Sequence, residues 1–124
     1  MVRASLERVP IEPLDAVIAR LGLPRVDFVK IDVEGAEASV IAGAATVLSA
    51  MRPLMLIEVN DKALRAQGNC ADSLMATLRD DLRYEIFVFS PVTGLLERPI
   101  DGHPLSANVV AIPGERVADT ITAA

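Results

Sequence analysis

The sequence predicts an α/β domain, with a mostly parallel sheet covered by helices and an antiparallel pair at one edge. Three features carry that expectation. The runs 26–33 (VDFVKIDV) and 54–59 (LMLIEV) are apolar on both faces for most of their length, as strands buried in a parallel sheet are. Between them the apolar period lengthens from two to about 3.6, the mark of a crossover helix. Two late runs, 84–89 and 108–112, are joined by a turn-rich loop instead of a long helix, which points to antiparallel pairing.

Each element has a local reason. Leu14, Val17, Ile18 and Leu21 stand at i, i+3, i+4 and i+7 on one face of a short helix. Pro13 suits its first turn, and Gly22 with Pro24 supplies the stop. The strand over 26–33 follows, rich in β-branched and aromatic residues. After Gly35, the residues Ala36, Val40, Ile41, Ala44, Val47, Leu48 and Met51 form one helical stripe. Glu34 and Glu37 sit near that helix's N-terminus, where the dipole favours negative charge. Arg52-Pro53 ends the helix, so 26–59 reads as one βαβ unit with a right-handed crossover.

The remainder alternates less cleanly. Asp72 or Ser73 is placed to cap a helix carrying Leu74, Leu78 and Leu82. A third strand spans 84–89, Pro91-Val92-Thr93-Gly94 signals a turn, and 95–98 returns as a short hairpin arm. Asn108–Ile112 is the last strand, closed by Pro113-Gly114. The tail 115–124 is small and polar enough to fray.

Composition narrows the function classes. At 124 residues the chain has the length of one domain, and 52% hydrophobic against 23% charged residues excludes disorder. Twelve basic against 17 acidic side chains give a net charge of −5 with no basic cluster, so nucleic acid is not an expected partner. Cys70 is the single cysteine, which precludes an internal disulfide and fits a reducing compartment. The apolar stretches fall short of the roughly 20 residues of a membrane span, and the first residues lack the core of a signal peptide. A cytoplasmic protein without a membrane partner is expected.

Ligands of open parallel sheets bind beyond the carboxyl ends of the strands. There, side-chain alternation puts Lys30 and Asp32 on one face of the first strand, and Glu58 and Asn60 on one face of the second. If the strands are neighbours, these groups converge with Glu34 on one patch. The bland reading pairs Lys30 with Asp32 and leaves Glu34 and Glu37 to decorate a helix start. Polar groups gathered where a buried strand emerges nevertheless need a reason, since burying one unpaired costs about 1–3 kcal/mol. As a group they point to function.

The run 26–37 (VDFVKIDVEGAE) closely resembles the signature of the FkbM-type methyltransferases. Pro13-Leu14-Asp15 resembles that family's element opening the preceding helix, and Ala42-Gly43-Ala44 its small-residue step in the following one. Arg52-Pro53 with Leu56-Ile57-Glu58-Val59 is similar to its next strand, and 108–113 to its closing strand. The resemblance implies a Rossmann-like, class I fold and S-adenosylmethionine as cofactor. It further implies O-methyl transfer to a small-molecule or glycan hydroxyl held near Lys30, Asp32, Glu34 and Glu58. In that reading a carboxylate accepts the hydroxyl proton, Lys30 steadies charge or orients Asp32, and Asn60 and Glu37 contact substrate.

The departures are specific. Nothing here reads as strand, Gly-x-Gly turn and helix N-terminus, and an acidic ribose-holding residue after a second strand is missing, so no cofactor-binding residue is assigned. Set against the family, the chain matches the C-terminal half of the domain, from its fourth strand onward. Asn60 stands where relatives often place a histidine. With the other half absent, the edge of the 26–33 strand is open and apolar, which predicts self-association. The competing reading is a catalytically inactive truncated module acting only through protein association. A flavodoxin-like receiver domain ranks last, because its adjacent acidic pair and late lysine are lacking.

Other residues carry less. His103, in Asp101-Gly102-His103-Pro104, reads as a solvated loop histidine, and without a companion ligand no metal site is expected. Cys70 has no nameable base. Met51, Met55 and Met75 read as core filler, and Asp80-Asp81 as a solvated helix end.

Overall fold

The computed structural model describes residues 3–100 and 106–122. Helix α1 (Leu14–Leu21) leads to strand β1 (Phe28–Ile31), helices α2 (Glu37–Ala42) and α3 (Ala45–Ala50), and strand β2 (Leu54–Asn60). Helices α4 (Asp61–Ala66) and α5 (Ala71–Ala76) follow, the latter widening into a π turn over Thr77–Asp81. The chain closes with β3 (Tyr84–Phe89), β4 (Leu96–Glu97), β5 (Ser106–Pro113), a 3-10 turn at Gly114–Arg116 and α6 (Val117–Thr122).

The five strands lie in the order β1-β2-β5-β3-β4. β1 and β2 pair in parallel, with Lys30 opposite Leu56 and Ile31 opposite Ile57. The other three pairings are antiparallel. This corrects the expectation of a mostly parallel sheet: β1, β2 and β3 share a direction, but β5 lies between β2 and β3. The reason is burial. Val109, Ala111 and Ile112 are fully buried, and a run covered on both faces belongs inside a sheet. The expected hairpin arm is β4, the outermost strand, which pairs Leu96 with Phe89 and Glu97 with Val88.

One face of the sheet carries the core. Ile31, Met55, Ile57, Val59, Ile86, Val109 and Ala111 point to the side where Leu48, Leu64, Leu74 and Leu78 pack from the helices. Met55 and Met75 are core filler as expected. On the other face, the ladder Lys30, Leu56, Val110 and Phe87 runs across the strands.

The single helix expected after Gly35 is broken at Gly43-Ala44. Pro13 sits directly over Gly43, where a Cβ would meet the proline Cβ at 3.2 Å, and the Asp15 N–H donates to the Gly43 carbonyl at 2.9 Å. The Asp15 carboxylate then accepts the N–H groups of Thr46 and Val47, both at 2.9 Å, capping α3 from another helix. Burial works against that carboxylate, but the Val47 and Thr46 donors prevail and hold its pKa below the ordinary value.

Other boundaries shift for similar reasons. Strand β1 is shorter than the apolar run, because the backbone turns after Ile31. Helix α5 starts at Ala71, not at Asp72 or Ser73: Cys70 is its N-cap, and the Ala71 N–H donates to Asp61 at 2.7 Å. Leu74 and Leu78 are buried as expected, and Asp80 and Asp81 are exposed. Helix α4 has no counterpart among the predicted elements. The frayed tail expected over 115–124 is helical through Thr122, anchored by Glu115, which receives Arg52 at 2.7 Å and 2.9 Å. Among the described residues no helix is long and apolar enough to cross a membrane.

Candidate active site

The carboxyl ends of β1 and β2 meet at one corner of the sheet. Continuing the parallel register past Ile31 and Ile57 sets Asp32 beside Glu58, and across β2 the antiparallel neighbour of Glu58 is Asn108. The Asp32 carboxyl is within hydrogen-bonding reach of Glu58 and, with its charge, pushes the Glu58 pKa above the ordinary glutamate value. Glu34 and Glu37 add to the same upward push by their charge. Lys30, Asp32, Glu34 and Glu58 are all exposed, so the patch faces solvent. No ion pair joins Lys30 to Asp32 among the described residues, which removes the bland explanation of that pair.

A tight turn positions these groups. Glu34 and Gly35 both have positive φ, 51° and 102°, and Ala36 donates back to the Val33 carbonyl at 3.2 Å. Gly35 is required twice over. Its conformation disfavours a side chain, and a Cβ there would lie 2.4 Å from the Ala63 carbonyl oxygen of α4.

Glu37 and Asn60, the two residues expected to contact substrate, each have a local role in the fold. Glu37 is 2% exposed, lying beneath the turn instead of facing a ligand, because its Oε1 accepts the Gly35 and Val33 N–H groups at 3.3 Å and 3.4 Å. Asn60 is exposed, but its side-chain oxygen caps α4 by accepting the Ala63 N–H at 3.1 Å. That cap was the signal in the sequence for the unread helix: an Asn directly before Asp61.

Beside the turn lies an apolar groove of about 450 Å³, lined by Ile11, Pro13, Leu14, Val17, Val33 and Val40 among others. The carboxylates stand outside it. Among the described residues, no three His, Cys, Asp or Glu side chains converge closely enough to hold a metal ion. His103 lies outside the described residues. Cys70 is half-buried, its thiol pKa lowered by Ser73, and its place is structural at the start of α5.

The model of the methyltransferase FkbM domain family matches residues 2–86, which runs from before α1 into β3 and takes in every residue of the patch. The chain is also similar to the AMB antimetabolite synthetase AmbE of Pseudomonas aeruginosa, with 40% identity over 78 residues. That match covers 63% of the chain and only 4% of the synthetase. No solved structure matches.

Proposed function

The chain belongs to the FkbM methyltransferase domain family, and from that premise we propose that its carboxylate corner receives the acceptor in an S-adenosylmethionine-dependent O-methyl transfer to a small-molecule or glycan hydroxyl. The observation that carries the reading is the meeting of Asp32 and Glu58 at adjacent strand ends. Two carboxylates crowded together bind a proton more tightly than either would alone, which brings Glu58 closer to the proton affinity useful in a general base near neutral pH. The acceptor hydroxyl donates its hydrogen bond to this pair. With the cofactor bound, its methyl–sulfur bond would break as the acceptor oxygen takes the methyl, and the carboxylate pair would hold the proton that the hydroxyl gives up. Lys30, on the same face of β1, steadies the negative charge of the patch or orients Asp32.

S-adenosylmethionine supplies an electrophilic methyl when bound. The residues present fit only its charged end, since Asp32, Glu34 and Glu58 suit a cation. They offer no cradle for the rest: the space at Gly35, the positive-φ glycine of this corner, is filled by the Ala63 backbone. We read the sheet as the C-terminal half of a Rossmann-like class I methyltransferase sheet, with the cofactor-holding strands pairing at the free edge of β1. That same free edge favours the second reading, an inactive module acting through association.

The test, made in a full-length relative that carries the cofactor-holding strands, is transfer of isotope-labelled methyl from S-adenosylmethionine to a panel of polyols, glycans and hydroxylated small molecules. Asp32→Asn and Glu58→Gln are each expected to lower turnover by roughly 10²-fold or more, the usual contribution of a general base. Unchanged turnover in both removes the pair from catalysis. Calorimetric binding of S-adenosylmethionine or S-adenosylhomocysteine would overturn the second reading, because the inactive module binds neither.

A further inference from the structure

We propose that Glu37 is a positioning residue, whose buried carboxylate holds the Val33–Gly35 turn in the shape that brings Asp32 and Glu34 to Glu58. Glu37 begins α2 and its side chain folds back under the turn. Its Oε1 collects the N–H groups of Val33 and Gly35, at 3.4 Å and 3.3 Å. Its Oε2 is buried without a hydrogen-bond partner among the described residues.

As a stabilising device this is a poor arrangement. A carboxylate taken out of water is unfavourable unless its oxygens are fully satisfied, and here two long bonds share one oxygen while the other has none. A glutamine offers the same acceptor oxygen without the charge. Buried, under-satisfied charge of this kind is a mark of a functional site more than of a fold.

The geometry shows what the carboxylate holds. The turn takes a positive φ at Glu34 as well as at Gly35, and a non-glycine residue there resists that conformation. Two restraints keep it in place: the Ala63 backbone of α4 occupies the space where a Gly35 side chain would go, and Glu37 gathers the two N–H groups. Asn60, by capping α4 at Ala63, fixes the first of them. Glu37 therefore acts on the reacting corner through the backbone, and through its charge on Glu58. The other charged groups bearing on Glu58 are Asp32 and Glu34, with Lys30 on the same face. From β5 the neighbour is the uncharged Asn108, while Asp61 of α4 is engaged by Arg65 and the Ala71 N–H.

The inference rests on reading Asp32 and Glu58 as the proton-handling pair, but its test does not require methyl transfer. Amide hydrogen exchange at Val33 and Gly35 and the carbon-13 carboxyl titration of Glu58 are followed by NMR in the wild-type chain, Glu37→Gln and Glu37→Ala. In Glu37→Gln the two amides are expected to keep their protection while the Glu58 titration moves toward acid. In Glu37→Ala exchange at both amides rises severalfold relative to the rest of α2. Should Glu37→Ala fail to fold, Glu37→Gln alone decides through the Glu58 titration. A Glu58 titration that ignores both substitutions, or an alanine variant whose turn amides stay protected, overturns the proposal. Loss of turnover in Asp32→Asn with these signatures absent would instead leave the proton-handling pair standing without Glu37.

Discussion

Asp32 stands beside Glu58 at the ends of neighbouring parallel strands and raises the Glu58 pKa above its ordinary value of 4.5. A carboxyl whose pKa is raised by folding is bound to its proton more tightly in the folded state than in the unfolded chain. Its contribution to stability is therefore complete below the unfolded pKa and is lost as pH rises through the folded value. Glu58→Gln is expected to raise Tm at pH 7, and the advantage over wild type should disappear below about pH 4.5. Calorimetric melting of both proteins across that range checks the sign. A variant less stable at pH 7 would mean that the carboxylate pair holds the corner together instead of straining it.

Gly35 tests how firmly the turn is held. Among the positive-φ glycines, Gly22, Gly68 and Gly94 have open space where a Cβ would go, whereas a Cβ on Gly35 would lie 2.4 Å from the Ala63 carbonyl oxygen. Gly35→Ala must displace α4 or unwind the turn, which overpacking data place at about 1–3 kcal/mol or more. Gly22→Ala carries the left-handed backbone penalty alone, about 1 kcal/mol. Urea denaturation of the two variants should rank them in that order, and amide spectra of Gly35→Ala should show shifts concentrated at the turn and α4.

Asp15 links the first helix to the third. Its carboxylate caps α3 through Thr46 and Val47, so Asp15→Ala leaves two N–H groups without their acceptor. The expected loss is about 1–2 kcal/mol, that of a helix N-cap. Because folding lowers the Asp15 pKa, this stability is present above its unfolded value of 3.8 and fades as pH falls through the folded one. The deficit of the variant, measured by urea unfolding at pH 7 and again at pH 3, should shrink at the lower pH.

The parts of this fold visible in the sequence were those set by local pattern. The α1 periodicity with its Gly22 stop, the parallel β1–β2 pair and the buried Tyr84 strand all follow from side-chain spacing. Asp32 and Glu58 were placed together because alternation and parallel register are nearly rigid rules. What spacing could not show was determined by distant contacts. The break at Gly43 exists because Pro13 and Asp15 dock there, and the interior place of β5 is a matter of strand order, which no local pattern encodes. Glu37 looked like an ordinary first-turn acid, and only the fold-back of its side chain under Gly35 shows otherwise.

Arg52 makes the C-terminal segment part of the domain. It donates to the carbonyls of Leu82 at 2.6 Å and Arg83 at 3.1 Å, lies 4.7 Å from the centre of the Tyr84 ring, and holds Glu115 through Nε and Nη2. That guanidinium holds the Glu115 pKa down to about 2. The contribution of Glu115 is thus present above the unfolded value of 4.5 and is lost as pH falls toward 2. Glu115→Gln should be less stable than wild type at pH 7 and converge with it near pH 2. Arg52→Ala also strands the two carbonyls, and is expected to lose about 1–3 kcal/mol more. Equal losses from the two variants would show that the ion pair, not the carbonyl contacts, fastens the tail.

The free edge of β1 bears on association. β1 ends the strand order, its Phe28 is 56% exposed, and Val33 just beyond it is 39% exposed. An edge of unpaired N–H and C=O groups flanked by apolar side chains is a template for another strand, and lysine on such an edge blocks pairing. The chain is expected to sediment above its monomer mass at high micromolar concentration, and Phe28→Lys to shift it toward monomer without lowering Tm, since Phe28 is mostly in solvent. If wild type sediments as a monomer at that concentration, the edge does not recruit a second copy. If Phe28→Lys associates as strongly as wild type, the contact lies elsewhere, and the exposed Leu6, Val9 and Ile11 ahead of α1 become the surface to substitute next.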